Sequence, residues 1–564
     1  MTELQLSQLS GPQNYSLVET TIGQAFDATV EQFPQRLALV VKHQNIRWTY
    51  RQYQTQVDKL ATGLLALGIK PGDRVGIWAP NCVEWCLSQF ATAKIGAIMV
   101  CINPAYRVYE LEYALNKVQC KTIISADSFK SSNYLEMLQE LAPELAQHQP
   151  EADRLRSEKL PHLHSVVRMG AIKTAGMLNF PELCESGGAA EQEQLAQLAT
   201  SQSCNDIINI QFTSGTTGKP KGASLSHRNI LNNGKIVGDG MQLTEQDRLC
   251  IPVPLYHCFG MVMGNLACIT HGSAAIFPAE AFEPVATLQT VAEEKCTALH
   301  GVPTMFIAQL DHPEFNQYDL SSLRTGIMAG APCPEEVMKK VIGTMHMQDV
   351  LIAYGQTELS PVNHMTAIDD PIEKRVASVG KPGPRLEVKI ADEQGQPIAI
   401  GSKGEICTRG YSVMQGYWDE PERSAETIDP EGWLHSGDLG IMDSEGYVQV
   451  VGRLKDMIIR GGENIYPREV EEFLYTHPAI QDVQVFGVND TKFGEQVCAW
   501  VQLKSQQSIT AEQLRDFCRS KITHFKVPKY IRFVEEFPMT VTGKIQKFKM
   551  REVMESEQVK EAVK

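Results

Sequence analysis

Pro71-Gly-Asp-Arg-Val-Gly-Ile-Trp78, followed by residues 82–94 and then Ala97-Ile-Met-Val-Cys-Ile102, sets the reading of this chain. A Pro-Gly turn opens a short apolar run that reads as a strand. A stretch of helical length comes next, and a second apolar run follows it directly. The same alternation extends outward. Upstream, Val57, Leu60, Ala61, Leu64 and Leu65 recur at helical spacing. Downstream, a helix expected near 111–118 leads into Ile123-Ile124. Helix and strand alternating through short turns predict an α/β body on a largely parallel sheet. Residues 134–160 and 186–203 are polar and Glu/Gln-rich, so surface helix or loop is expected there. No internal repeat is visible.

The chain has 564 residues, 43% of them hydrophobic and 21% charged, with a net charge of −15. Collagenous, low-complexity and wholly disordered readings are excluded. So acidic a chain does not track a nucleic-acid backbone over a broad face. A small phosphorylated ligand needs only a few local cations and stays open. None of the 14 cysteines forms a C-x-x-C pair. Reduced thiols packing as small apolar residues are expected, with a cytoplasmic location. The most apolar stretch, 256–270, is interrupted by His257, Gly260, Gly264 and Asn265. It is too short and too broken to span a bilayer. No Lys or Arg precedes Arg36, so neither a secretory signal nor a mitochondrial presequence is read at the N-terminus. Peripheral membrane contact and oligomeric state are left open by the sequence.

From Arg453 onward the balance changes, with 18 Lys+Arg against 16 Asp+Glu. Pro467 suits a first helical turn, and Val470, Phe473 and Leu474 make one apolar face. Strands are expected at 483–488, 497–503 and 530–534, with a helix through Leu514, Phe517, Cys518 and Ile522. That pattern reads as a βαββαβ-like unit, joined to the body near residues 452–456.

The sharpest chemical signal is Thr213-Ser-Gly-Thr-Thr-Gly-Lys-Pro-Lys-Gly222, after the strand-like 207–212. Glycines let backbone amides turn toward a phosphate, hydroxyls donate, and Lys219 and Lys221 add charge. It is not a Walker loop, because Pro220 follows Lys219 where Ser or Thr is required. Four weaker signals accompany it. Tyr354-Gly-Gln-Thr-Glu-Leu-Ser-Pro361 combines an aromatic face, the Thr357 donor and the hard oxygens of Glu358. His435-Ser-Gly-Asp438 presents a carboxylate suited to ribose hydroxyls. Gly452-Arg-Leu-Lys-Asp-Met-Ile-Ile-Arg-Gly-Gly-Glu-Asn-Ile-Tyr-Pro467 and Pro538-Met-Thr-Val-Thr-Gly-Lys544 complete the set.

These five segments, in this order over roughly residues 20–550, resemble the adenylate-forming superfamily. Within it the chain is most similar to medium- to long-chain fatty acyl-CoA ligases. The resemblance implies a large N-terminal α/β domain with mixed sheets (1–452) and a small α+β C-terminal lid (453–564), hinged near Lys455. It implies ATP and CoA as co-substrates, Mg²⁺ as the metal, and small molecules as the partners. By resemblance, Thr213, Ser214, Gly215, Thr216, Thr217, Gly218 and Lys219 hold the β- and γ-phosphates. Gly330, Ala331 and Pro332 line the adenine, and Tyr354 stacks on it. Thr357 meets the α-phosphate, Glu358 binds Mg²⁺, and Asp438 and Arg453 hold the ribose. Lys544 bridges carboxylate and α-phosphate, while Gly461 and Gly462 border the pantetheine tunnel. No residue is assigned as base for the thiol.

The acyl site is argued from residues. Pro254-Leu-Tyr-His-Cys-Phe-Gly-Met261 is apolar apart from His257 and carries no acid. An α-amino acid would leave its ammonium unpaired there, so an aliphatic carboxylate is expected. His257 is the candidate for orienting the carboxylate, against a simple packing role. His162 and His164 are expected as surface histidines, and Met261 and Met263 as packing residues. Other readings predict different behaviour: an acyl-AMP ligase loading a carrier protein, an aryl-acid ligase, or a silent nucleotide-binding protein. The last should have lost Lys544, Glu358 or the loop glycines, and all are present.

Overall fold

The computed structural model describes residues 5–150, 152–213, 220–331, 333–460, 463–490, 492–519, 521–540 and 545–562. Ser214, Gly215, Thr216, Thr217, Gly218, Lys219, Pro332, Gly461, Gly462 and Lys544 lie outside these described residues.

Two mixed sheets form the body. The first runs Leu178–Asn179, Ser165–Arg168, Thr122–Ser125, Arg74–Trp78, Ile98–Cys101, Ile207–Thr213, Lys221–Ser226, Gly416–Tyr417. It is parallel as far as Ile207–Thr213 and antiparallel beyond. The second is parallel from Leu37–Val41 through Ala274–Phe277, Arg248–Cys250, Ala298–Leu299 and Thr325–Ala329 to Asp349–Gly355. Antiparallel strands close both its edges.

Helices Ile22–Gln32, Tyr50–Ala66, Val83–Ile95 and His227–Gly240 contribute to one apolar cluster shared with both sheets. Successive strand residues point to opposite faces. Val75 and Ile77 therefore join this central cluster. Trp78, Ile98 and Val100 pack outward against Leu111, Leu115, Tyr134 and Leu138. Helices Pro284–Glu294, Pro303–Leu310 and Glu335–Thr344 supply the outer cluster of the second sheet. Sheets covered on both faces require the near-continuous apolar runs seen in the sequence. Every residue of Val83–Ile95 except Glu84 is buried, as befits a helix held between two sheets.

Three expectations change. Within 134–160, helix Tyr134–Leu141 is not a surface element: Tyr134, Leu138 and Leu141 are fully buried, and Tyr134 stacks on Trp78 with ring centroids 3.8 Å apart. Its narrow stripe was diluted by Glu and Gln neighbours. Helix Ala189–Ser201 buries no residue, as expected of 186–203. His162 and His164 precede strand Ser165–Arg168 rather than lying on it. A third, wholly antiparallel sheet was not anticipated. Its order is Gln8–Ser10, Leu386–Ala391, Lys403–Gly410, Leu434–Met442, Val448–Arg453.

The C-terminal unit opens with a hairpin, Ile458–Arg460 and Glu463–Ile465, where one strand was expected. Helix Pro467–Tyr475, strands Ile480–Asp490 and Gly494–Leu503, helix Ala511–Arg519 and strand Tyr530–Phe533 follow. Helix Lys547–Ala562 then closes the chain's described part, an addition to the expected pattern. Between Arg453, which ends the antiparallel sheet, and Ile458 lies an exposed turn containing Leu454 and Lys455. No helix among the described residues is long and apolar enough to cross a membrane.

Candidate active site

Ligands of open α/β sheets bind beyond the carboxyl ends of the strands. Three such ends converge here. Strands Thr325–Ala329 and Asp349–Gly355 are parallel neighbours, with Ala329 opposite Ala353. They deliver Gly330 and Ala331 beside Tyr354. Gly330 sits at φ +87°, a left-handed conformation that glycine adopts without Cβ strain. Strand Ile207–Thr213 of the other sheet delivers Thr213. Its antiparallel neighbour in the sheet is strand Lys221–Ser226.

After Asp349–Gly355 the chain turns sharply. A Cβ on Gly355 would overlap the Pro361 carbonyl oxygen, which explains the glycine. Gln356 N–H donates to that oxygen at 2.9 Å and closes the turn. The turn carries Thr357 and Glu358 on a short 3₁₀ segment, and Met414 N–H donates to the Glu358 carbonyl at 2.9 Å.

Glu358 joins the two sheets. Its Oε1 accepts from Thr213 Oγ1 at 3.3 Å and from the Tyr417 hydroxyl at 2.9 Å. Lys221 Nζ lies 4.7 Å from the Tyr417 ring centroid. Burial lowers the Lys221 pKa, and the Glu358 charge opposes that shift. Burial and Glu358 together raise the Tyr417 phenol, which keeps it a donor. Tyr417 was missed in the sequence because it lies far from every motif.

The second cluster lies on the antiparallel sheet. Asp438 and Arg453 are directly opposed across adjacent strands, with Nε donating to Oδ1 at 2.9 Å. The Tyr354 hydroxyl donates to Asp438 Oδ2 at 2.8 Å. Asp438 is buried, and its charge raises the Arg453 pKa. Burial, then Asp438, lifts the Tyr354 phenol well above its ordinary value.

The acyl-site segment begins at Pro254 and enters a π-helix over Phe259–Leu266, all eight residues buried. Such wide turns recur at functional sites. The Cys258 thiol donates to Gln211 Oε1 at 3.0 Å, and both Thr357 and Glu358 act electrostatically on it. The apolar segment therefore abuts the Thr357–Glu358 turn. Met261 and Met263 are buried here as packing residues. His257 is half-buried, and its Nδ1 accepts from Phe259 N–H at 3.2 Å. Gln211 was also missed, although Asn209, Gln211 and Thr213 alternate along an otherwise apolar strand.

Thr213, Gly330, Ala331, Tyr354, Thr357, Glu358, Asp438 and Arg453 thus border one region, while His257 Nδ1 accepts from within its own segment. Lys455 is exposed on the turn between the units, and its charge acts on Lys221. Glu358 fits a Mg²⁺ ligand: it is a hard carboxylate beside strand Ile207–Thr213, and both hydrogen bonds it accepts among the described residues fall on Oε1. None of the 14 cysteines forms a disulfide.

The sequence matches the AMP-binding enzyme family over residues 26–418 and the AMP-binding enzyme C-terminal domain over 469–544. It is 48% identical over 537 residues to the putative acyl-CoA synthetase YngI of Bacillus subtilis, covering 95% of this chain and 97% of that protein. It is 46% identical to the medium-chain acyl-CoA ligase ACSF2, mitochondrial, of Mus musculus, covering 98% of this chain and 90% of that one. The anthranilate CoA ligase AuaEII, solved in complex with anthranoyl-AMP, superposes with a TM-score of 0.84. It is 27% identical, with 97% of this chain and 99% of that chain covered.

Proposed function

The chain belongs to the AMP-binding enzyme family, and from that premise we propose that it is a fatty acyl-CoA synthetase. A fatty carboxylate attacks the α-phosphorus of ATP, the α–β phosphoanhydride bond breaks, and pyrophosphate leaves. The CoA thiol, having lost its proton, then attacks the acyl carbon. The acyl–oxygen bond breaks and AMP departs. A carboxylate is a poor acyl donor because oxide would be its leaving group, and adenylation removes that obstacle.

One observation carries this reading: Glu358 accepts from Thr213 of the phosphate-loop strand, while its charge also acts on Cys258 of the buried apolar segment. Phosphate chemistry and an acyl chain would therefore meet at one place. In the adenylation step two anions approach, so fixed donors and cations must offset their repulsion. We assign Thr357 and Lys544 to the α-phosphate, and residues 213–219 to the β- and γ-phosphates. Gly330, Ala331, Pro332 and Tyr354 take the adenine, and Asp438 and Arg453 the ribose. Glu358 would hold Mg²⁺, which when bound neutralises phosphate charge. His257 would orient the carboxylate, and Gly461 and Gly462 would border the pantetheine path. The body would end at residue 452 and the lid begin at 453, hinged at Lys455.

The acid-free segment around His257 favours an aliphatic acid over an amino acid. The similarity to an anthranilate CoA ligase supports a second reading, an aryl carboxylate. A cytoplasmic location is proposed from the reduced cysteines, and cell fractionation tests it. The function is tested by AMP release with acetate, octanoate, palmitate, benzoate and phenylalanine, each with and without CoA. Octanoate or palmitate should turn over best, giving a thioester with free CoA. Preferred benzoate would establish the aryl reading, and preferred phenylalanine would overturn the pocket argument. Acyl-AMP without any CoA thioester would point to a carrier-protein acceptor.

A further inference from the structure

The antiparallel sheet brings three unlike metal-binding side chains together outside the site described above. Glu405 and Cys407 lie two apart on strand Lys403–Gly410 and share one face. Cys407 is opposite His435 on the neighbouring strand Leu434–Met442. His435 Nδ1 is 2.8 Å from Glu405 Oε2 and 3.5 Å from Cys407 Sγ. Cys407 Sγ is 4.0 Å from the same Glu405 oxygen. The ligand atoms lie within 4.8 Å of one another, the only such His/Cys/Asp/Glu group among the described residues.

The shape of this triangle is informative. Zn²⁺ takes sulfur at about 2.3 Å and nitrogen or oxygen at about 2.0 Å in tetrahedral geometry. Those lengths place nitrogen and sulfur about 3.5 Å apart, sulfur and oxygen about 3.5 Å apart, and nitrogen and oxygen about 3.3 Å apart. The observed 3.5, 4.0 and 2.8 Å differ from these by no more than small side-chain rotations. The surroundings also match a metal site. His435 Nε2, the ring nitrogen facing away from the triangle, lies 3.7 Å from Asp429 Oδ2. Asp429 Oδ1 is held by the backbone N–H groups of Glu431 and Trp433, both at 2.9 Å. The second oxygen of Glu405 accepts from Gly437 N–H at 2.8 Å. A hydrogen bond behind a ligating carboxylate orients it, and a carboxylate near the outer nitrogen of an imidazole, here beyond direct hydrogen-bond distance, is the kind of partner that orients a ligating ring.

We propose that Glu405, Cys407 and His435 form a binding site for a divalent transition-metal cation of the Zn²⁺ class, coordinated through Oε2, Sγ and Nδ1. A thiolate with an imidazole selects a borderline-soft ion over Mg²⁺, so this site is chemically distinct from Glu358. Three protein ligands leave the fourth position to water or an anion. The simpler alternative is a Glu405–His435 ion pair beside a thiol that binds no metal.

Cobalt(II) distinguishes the two, added to the full-length protein after metal is stripped with a chelator. One Co²⁺ per chain is expected to bind, with a thiolate-to-metal charge-transfer band and the intense d–d bands of a tetrahedral ion. Cys407→Ser should abolish the charge-transfer band. Asp429→Asn should keep the band but weaken binding about 10–100-fold, as removal of an outer partner does. Absence of the band in the wild-type protein, or its survival in Cys407→Ser, overturns the proposal. Should Cys407→Ser fail to fold, X-ray absorption of the wild-type protein loaded with one Zn²⁺ decides. One sulfur in a shell otherwise of nitrogen and oxygen supports the site, and a shell without sulfur rejects it.

Discussion

The Tyr354 hydroxyl donates to Asp438 Oδ2 at 2.8 Å, a bond between residues on two different sheets. Arg453 Nε occupies the other carboxylate oxygen at 2.9 Å. The proposed adenine platform and the proposed ribose acceptor are thus one hydrogen-bonded unit, with Arg453 as its third member.

Removing only the hydroxyl tests that unit. Tyr354→Phe keeps the aromatic face but leaves the buried Asp438 without one donor. Loss of a bond to a buried partner costs about 1–3 kcal/mol. The KM for ATP should rise roughly tenfold, the equivalent of about 1.4 kcal/mol, with kcat much less affected. Steady-state kinetics with ATP varied will check this. An unchanged KM would mean that the hydroxyl does not set the nucleotide site.

Lys455 lies in the exposed turn between Arg453 and Ile458. Proline there fixes φ near −65° and biases Leu454 toward extended backbone. A lid that must adopt two orientations would be held in one. Lys455→Pro should retain acyl-AMP formation and lose most thioester formation. Measuring the half-reactions separately checks this, and equal loss of both would count against a hinge here.

Lys544 is assigned to the charge between carboxylate and α-phosphate. Removing one preorganised donor typically costs about 10²–10³ in rate. Lys544→Ala should depress ATP–pyrophosphate exchange by that factor. Thioester formation from supplied acyl-AMP should remain largely intact, because the two anions no longer meet. A solvated surface lysine would leave both steps near wild type.

His300 gives a pH prediction. Its Nε2 donates to the Met263 carbonyl at 2.9 Å, and its Nδ1 accepts from Ile327 N–H at 3.3 Å. The neutral ring therefore ties the π-helix to strand Thr325–Ala329. Burial lowers its pKa from 6.5 to about 4. Between those values the unfolded chain binds a proton that the folded chain refuses, so stability falls as pH drops from about 6.5 to about 4. The contribution is full above that window, and its loss is complete below it. Burial lowers buried His227 and His364 in the same direction, each to about 3. Thermal melting at stepped pH should show Tm falling through this range. His300→Gln should fall less steeply, since the share due to His300 is gone. A parallel pH dependence would remove His300 from the account.

The α/β class was legible because strands covered on both faces must be apolar almost throughout, and Arg74–Trp78 and Ile98–Cys101 advertise that need without any partner. The C-terminal helix face of Val470 and Leu474 was legible from its 3.6-residue period. Helix Tyr134–Leu141 was read as surface because its buried stripe is only four residues, Tyr134, Met137, Leu138 and Leu141, and local composition outweighed it. The antiparallel sheet was not anticipated although most of its strands are consecutive between Leu386 and Arg453; only its edge strand Gln8–Ser10 is recruited from across most of the chain, where no local signal marks it.

The site divides the same way. Local chemistry marked Thr213, Tyr354, Thr357, Glu358 and Asp438, because a phosphate cradle, an aromatic face and a hard carboxylate each need a particular residue type at a particular turn. Nothing local marked Tyr417 as the donor to Glu358, Gln211 as the partner of Cys258, or Glu405 as the partner of both Gly437 and His435. Those contacts exist only after the chain has folded, since each joins residues about 30–60 positions apart with no local signal for one another. The sequence by itself determined which chemical groups are present and on which turns. The packing of the sheets decided which of them touch, because a hydrogen bond depends on ångström-scale placement that residue type and spacing do not specify.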